Sequence, residues 1–330
     1  MSPGEFAADV TPTSRLKRST LTVDLGLLAA VVSAAAFGSS GPFAKSLLVT
    51  GWAPPTIVTL RIGIAALVLL GPALWSVRDR WQVLRAERGM ILAYGLVSVA
   101  GCQVAYFNAV ARMPVGVALL LEYLGIIFVV LWVWLRTRRR PAATVALGGA
   151  LAIAGLVLVL DVSGSAAVDL VGVLWGLGAA VGLAVFFVLA SHAHSELPAV
   201  ALAGFGMLVG TVALVVLQLV GALPSAWASA DVTIHGIQLP WYAAILELAL
   251  VAAAAAYLLG TIGARALGST VASFVGLTEV LFAVLLAWLL LGELPGPVQM
   301  LGGGLILAGV VAVRVGELRG SGFRDARPDE

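Results

Sequence analysis

A single carboxylate, Glu122, interrupts the apolar run VGVALLLEYLGIIFVVLWVWL, and Tyr123 follows it directly. Ionisable groups inside a bilayer are costly and therefore rare, so each one marks a candidate site. A carboxyl desolvated at that depth can load and release a proton, which is what a proton-coupled exporter asks of one side chain. The other reading is an acid that stays protonated against a neighbour. Glu279, in GLTEVLFAVLLAWLLLGE, presents the same choice. In GCQVAYFNAV, Gln103 and Tyr106 are three apart and share a helical face, with Phe107 at spacing four from Gln103 and Asn108 beside it. Amides next to aromatic rings suit an amino acid or another amphiphilic ligand, and they serve equally as bonds between helices. Tyr257 is a polar aromatic midway along a run of alanines. Lys45, in FGSSGPFAKSLL, is either a substrate or counter-ion contact or a lysine snorkelling to the outer interface. Arg61, a turn or two into TIVTLRIGIAALVLL, reads as an interfacial or helix-pairing arginine. Glu247 falls in the outer third of its span, and Glu293 at an interface.

These residues need long apolar helices to hold them. The chain of 330 residues is 61% hydrophobic and 11% charged, against roughly 45–50% and 25% in soluble domains. With a mean hydropathy of +1.07, the reading is an all-α polytopic membrane protein. The net charge of +2 is small and its arginines flank apolar runs, which speaks for topology and against nucleic-acid binding. The single cysteine, Cys102, excludes an intrachain disulfide, and His192, His194 and His235 show no zinc-ligand spacing. No metal or cofactor is expected. Nor is an enzyme, because no phosphate loop, dinucleotide fingerprint or nucleophile elbow is present.

Ten spans are expected, at 23–47, 56–76, 89–110, 115–135, 142–160, 169–190, 199–221, 241–262, 268–291 and 296–314. Residues 1–22 and 315–330 read as cytoplasmic tails, the first of them disordered. Basic residues cluster between spans two and three (Arg78, Arg80, Arg85, Arg88), between four and five (Arg136, Arg138, Arg139, Arg140) and after span ten. Linkers 50–55, 161–168 and 222–240 carry neither Lys nor Arg, so both termini are expected on the cytoplasmic side of an inner membrane.

Sliding the chain by 154 lays residues 111–159 on 265–313 without a gap. Phe128 meets Phe282, Trp134 meets Trp288, Pro141 meets Pro295, and two glycine pairs fall in register. Each half, 23–160 and 169–314, then holds five spans. Because five is odd, the halves are inverted, an architecture of secondary transporters with a substrate site near the midplane. The glycine-rich GGALAIAG and GGGLILAG of spans five and ten read as close-packing stripes.

FGSSGPFAKSLL, APPTIVTLRIGIAALVLL and the closing LTEVLFAVLLAWLLLGELPGPVQMLGGGLILAGVVAV resemble the drug/metabolite transporter superfamily, in its ten-span EamA branch. That family usually has Glu-Pro where Glu279 and Val280 stand. PVGVALLLEYLGIIFVVL is similar to the threonine/homoserine exporter branch: Glu122, Tyr123 and Gly125 fit its run, while Ile126 replaces a proline. The resemblance implies two four-helix groups around a central cavity, spans five and ten at the periphery, and export of amino acids and related metabolites by alternating access.

The residues and the resemblance together point to a small-molecule exporter. Gln103, Tyr106, Asn108, Tyr123, Tyr257, Glu279 and Lys45 are the substrate-site candidates, and Glu122 is the candidate for proton coupling. Substrate is expected between spans one, three, four, six, eight and nine, and the protein to be a monomer or homodimer in lipid. The rival readings are a broad-specificity drug exporter, an uncoupled facilitator, and a non-transporting membrane sensor or scaffold.

Overall fold

A computed structural model describes residues 12–125, 127–128, 143–159, 169–190, 197–276 and 278–322. Apolar stretches in hydrocarbon become helices because the backbone has no other partner for its polar groups. The first are α1 (Pro12–Val49) and α2 (Pro54–Val77), then a short α3 (Trp81–Ala86). Helix α4 runs through Arg88–Ala93, a π-helical Tyr94–Gly101 and Cys102–Val110. Next come α5 (Val115–Tyr123), α6 (Ala143–Val159), α7 (Leu170–Ala190) and α8 (Ala199–Leu219). Helix α9 runs through Trp241–Leu246, a π-helical Glu247–Ala255 and Ala256–Gly276. The chain closes with α10 (Thr278–Leu291) and α11 (Pro297–Gly322).

Among the described residues, five stretches are long and apolar enough to cross a membrane: Asp24–Val49, Pro54–Val77, Arg88–Val110, Ala199–Leu219 and Trp241–Gly263. Shorter apolar helices cover Leu170–Phe186, Thr278–Leu291 and Pro297–Gly309. Outward-facing Leu67, Trp75, Leu174 and Leu281 are exposed, the pattern of a surface that meets lipid. The protein is a multi-pass membrane protein.

Three features differ from the sequence reading. Helix α1 begins at Pro12, so it reaches back into the stretch expected to be a disordered tail. The gap expected at 263–267 is helical, and α9 continues to Gly276. The chain reverses between Ala266 and Phe282: Tyr257, Gly260, Gly263 and Ala266 descend along Phe37, Ser33, Ala30 and Gly26 of α1, after which Phe282 lies against Gly38. Third, the 222–240 linker folds a hairpin, β1 (Val232–Ile234) antiparallel to β2 (Ile237–Leu239). Its two-residue turn, His235 at φ 49° and Gly236 at φ 77°, has the positive φ values that a tight hairpin turn requires. Other expectations concern Trp134, Arg136, Arg138, Arg139, Arg140, Pro141, His192, His194 and the 161–168 linker, which lie outside the described residues.

The packing is reciprocal. Helix α1 lies on α9 and α10, α7 lies on α4 and α5, α2 pairs with α8, and α6 pairs with α11. Small residues allow the closest approaches: a Cβ on Gly182 of α7 would fall 2.5 Å from that of Cys102 on α4, and one on Gly155 of α6 would fall 2.5 Å from the Gly302 carbonyl oxygen on α11. The two π-helical stretches obey the same spacing, since an offset of 154 carries residues 94–101 onto 248–255.

Alternate connections meet at one end. Ala53 N donates to Ala226 O, and His235 N donates to Leu290 O, each at 2.9 Å. Lys45 Nζ donates to the carbonyls of Val110 and Met113 at 2.8 and 3.0 Å. Val115 N donates to Glu293 Oε2 at 3.2 Å. The linkers after α1, α4, α8 and α10 are therefore neighbours.

Candidate functional site

Arg61 is the centre of the buried polar network. Its side chain leaves α2 and is fully buried. Nε donates to Leu248 O at 3.2 Å, Nη2 donates to Ala252 O, and Nη1 donates to Gln103 Oε1. Both carbonyls belong to the π-helical stretch of α9. A π turn shifts the i→i−4 register of an α-helix and redirects backbone groups, which is why such turns recur at functional sites. The guanidinium carbon lies 5.4 Å from the centre of the Phe107 ring, so an aromatic face covers the cation. Among the described residues, no carboxylate lies within ion-pair distance of Arg61.

Gln103 uses both ends of its amide. Its oxygen accepts from Arg61, and its Nε2 donates to Tyr257 Oη at 3.3 Å. Tyr257 sits edge-on to Phe37 of α1 at 4.9 Å and to Phe186 of α7 at 6.3 Å. Phe186 in turn lies 5.9 Å from Tyr94. One amide and one phenol thus connect α2, α4 and α9, with rings from α1 and α7 closing round them.

Two carboxyls lie on α5 and α10. Glu122 is buried, with its Oε1 3.3 Å from Cys102 Sγ, and that thiol is 3.4 Å from Ala179 O. Tyr123 Oη lies 2.8 Å from Gly276 O and 3.0 Å from Glu279 Oε2. The neighbouring residues Glu122 and Tyr123 therefore face different helices, α4 and α7 in one case and α9 and α10 in the other.

Gln103, Tyr257, Glu122 and Tyr123 are thus buried and Glu279 partly buried, all five on helices expected to line the site. Tyr106 joins them at one edge: it is buried, 5.7 Å from Phe107, and its hydroxyl faces Gly41 of α1. Two candidates are placed elsewhere. Asn108 turns back to its own helix, donating to Val104 O at 2.7 Å. Lys45 lies at the end of the bundle, 3.8 Å from Glu293 Oε1. The sequence reading undervalued Arg61. Its place inside an apolar run was visible, but the carbonyls that hold it belong to a distant helix.

The described cavity also lies away from the centre. It has a volume of 550 Å³ and opens between α4 and α7, lined by Val97, Gly101, Cys102, Leu174, Trp175 and Gly182 among others. Its walls are apolar, and Cys102 separates it from Glu122. Among the described residues, no cluster of three or more His, Cys, Asp or Glu could hold a metal ion.

Comparison with known proteins follows the same division of the chain. The profile of the EamA-like transporter family matches residues 24–161 and again 170–315. A threonine/homoserine exporter, RhtA, from Escherichia coli K12 is 26% identical over 289 residues, covering 87% of this chain and 90% of that protein. RhtA from Salmonella typhimurium SL1344 is 28% identical over 177 residues, and there the match spans 56% of the relative's length. A solved crystal structure overlays with a TM-score of 0.56 at 20% identity, covering 92% of this chain and 98% of the other, which is a likeness of fold. With two matches that together take in most of its length, the chain belongs to the EamA-like transporter family.

Proposed function

We propose that this protein is a secondary-active exporter of the cytoplasmic membrane that moves small amphiphilic metabolites, amino acids first among them, by alternating access. The observation that carries this reading is the buried network Arg61–Gln103–Tyr257, which ties a helix of each half together at the middle of the bundle. A cation, an amide, phenols and two carboxyls in an aromatic setting match the two charged ends and short side chain of an amino acid. The names of the RhtA relatives favour threonine- and homoserine-like substrates. In this reading there are ten spans in two inverted repeats, both termini are cytoplasmic, and the linkers after α1, α4, α8 and α10 face outward. The reciprocal packing and the matched π-helical stretches support the duplication. The Lys45–Glu293 cluster closes the outer end, and Glu122 couples export to the proton gradient.

The test is counterflow in proteoliposomes preloaded with a panel of amino acids, with and without a pH gradient. Stereoselective exchange of threonine or homoserine is expected, with a gradient response that Glu122→Gln removes. Full pH-driven transport in Glu122→Gln would end the coupling role of that residue. The aromatic set of Phe37, Tyr94, Phe186 and Tyr257 favours one second reading, export of lipophilic cations. Flux of such cations with no amino-acid exchange would select it.

A further inference from the structure

A third acid within the bundle has an unusual environment. Glu247 is the first residue of the π-helical stretch of α9 and lies about 9 Å along the helix from Trp241. Its Oε1 is in hydrogen-bond contact with Ser39 Oγ of α1. Its Oε2 is buried and has no hydrogen-bond partner among the described residues. A bare carboxylate oxygen held away from water is among the most costly groups a protein can bury.

Counting hydrogens resolves the cost. A serine hydroxyl carries one proton. Ser39 Oγ is within donor reach of two acceptors, Glu247 Oε1 and, at 2.7 Å, Ala36 O of its own helix, and its one hydrogen can serve only one of them fully. When that hydrogen goes to Ala36 O, the contact between Ser39 Oγ and Glu247 Oε1 holds only if the acid supplies a hydrogen. With the proton on Oε1, the solitary Oε2 is a neutral carbonyl oxygen and not half of an anion.

We propose that Glu247 and Ser39 form a proton-binding site, occupied in this conformation, that controls the contact between α1 and the π-helical stretch of α9. The site deepens the transporter reading and rests on it for its role in export, though not for the protonation itself. Loss of the proton leaves a carboxylate that Ser39 alone cannot satisfy. From the packed elements, α2 presents the only charged neighbour among the described residues that is bound to this stretch, Arg61, through Leu248 O and Ala252 O. On α1, Lys45 is engaged at the bundle end with Val110, Met113 and Glu293, and Asp24 lies near the opposite end. On α9 itself, Tyr257 is bonded to Gln103. A newly ionised Glu247 therefore draws on Arg61, and Arg61 can answer only by loosening its hold on the π-helical carbonyls or on Gln103. Proton release at Glu247 is thereby tied to rearrangement of the central network.

Two measurements test this on the purified full-length protein. Infrared difference spectra across a pH titration should show a protonated-carboxyl C=O band at neutral pH that Glu247→Gln removes and Ser39→Ala displaces. An unchanged set of carboxyl bands in Glu247→Gln would overturn the proposal, whether or not any substrate is transported. In proteoliposomes, Glu247→Gln, a mimic of the protonated acid, should keep counterflow within about threefold of wild type while losing acceleration by a pH gradient. A wild-type gradient response in that variant, or a response to a sodium gradient that it abolishes, overturns the site as one for protons. Silence of wild type towards every substrate would end the transporter reading, and the infrared result would still decide the protonation.

Discussion

Gln103 and Tyr257, 154 positions apart in the chain, are joined side chain to side chain, with Gln103 Nε2 3.3 Å from Tyr257 Oη. That separation equals the offset that lays residues 111–159 on 265–313 in the sequence. Gln103 also accepts from Arg61, and its removal therefore leaves a buried cation short of an acceptor. Tyr257 keeps its ring contacts if only its hydroxyl is lost. Gln103→Leu should lower stability by about 1–3 kcal/mol and Tyr257→Phe by about 0.5–1.5 kcal/mol. Equilibrium unfolding in detergent would measure both, and an order of effects opposite to this would show that the amide's bond to Arg61 is not the stronger one.

Arg61 should tolerate lysine poorly. The guanidinium reaches Leu248 O, Ala252 O and Gln103 Oε1 with three separate nitrogens while its face lies on Phe107. A lysine ammonium keeps the charge but loses the planar fork and the stacking. Arg61→Lys is expected to lose at least one charged hydrogen bond, about 1.5–3 kcal/mol. A thermal midpoint equal to wild type would mean that charge alone, and not the fork, holds the π-helical stretch of α9.

These two residues show how far the sequence could be read. Apolar runs, their polar interruptions and the 154-residue offset are properties of local composition, and they placed Gln103, Tyr257, Glu122 and Glu279 on the correct helices. Arg61 was read as interfacial or helix-pairing from its depth in its own span; the structure has it pairing α2 with α9, a choice decided by the α9 carbonyls that face it. The π-helical stretches were invisible for a similar reason: YGLVSVAG and ELALVAAAA contain no proline or other local signal for a register change. The hairpin was legible in part. VTIHGIQL alternates around Gly236, but His-Gly is a weaker turn signal than Asn-Gly. The sequence left Lys45 and Asn108 open between two readings because a side chain near a helix end can satisfy itself on backbone carbonyls, and each does so here.

The outer-end cluster should respond in accessibility more than in stability. Lys45 and Glu293 are 3.8 Å apart and remain partly exposed, so the pair itself contributes about 0–1 kcal/mol. Glu293 also accepts from the backbone of Val115, which joins α10 to the start of α5. Glu293→Gln is expected to leave the melting temperature nearly unchanged and to speed labelling of Cys102, the sole cysteine, by a membrane-impermeant maleimide. Unchanged labelling would mean that the cluster does not restrain the outer end.

Asp169 offers a prediction about pH. It stands just before α7, where its carboxylate accepts from Gly172 N at 2.9 Å and from Arg112 Nη1 at 3.2 Å. The Gly172 amide, and after it the Arg112 guanidinium, hold this carboxyl below the usual aspartate range. A depressed value in the folded protein means that its stabilising effect is complete above the unfolded pKa, about 3.9. The effect is lost as pH falls through the folded value. Asp169→Asn should therefore melt earlier than wild type at neutral pH and converge with it in acid. A difference independent of pH would assign the effect to helix capping by either side chain.

Two glycines of α6 give opposite expectations within one helix. A Cβ on Gly155 would lie 2.5 Å from the Gly302 carbonyl oxygen and 2.8 Å from the Ile306 backbone nitrogen, and backbone atoms cannot rotate aside. Gly155→Ala must push α6 and α11 apart, at a cost of about 1–3 kcal/mol. A Cβ on Gly149 meets nothing within 4 Å, so Gly149→Ala keeps the packing and gains helix propensity, up to about 1 kcal/mol. Unfolding midpoints in detergent should thus move in opposite directions for the two variants. The sign of that difference decides whether GGALAIAG is a packing stripe along its whole length or only at Gly155, where α11 comes closest.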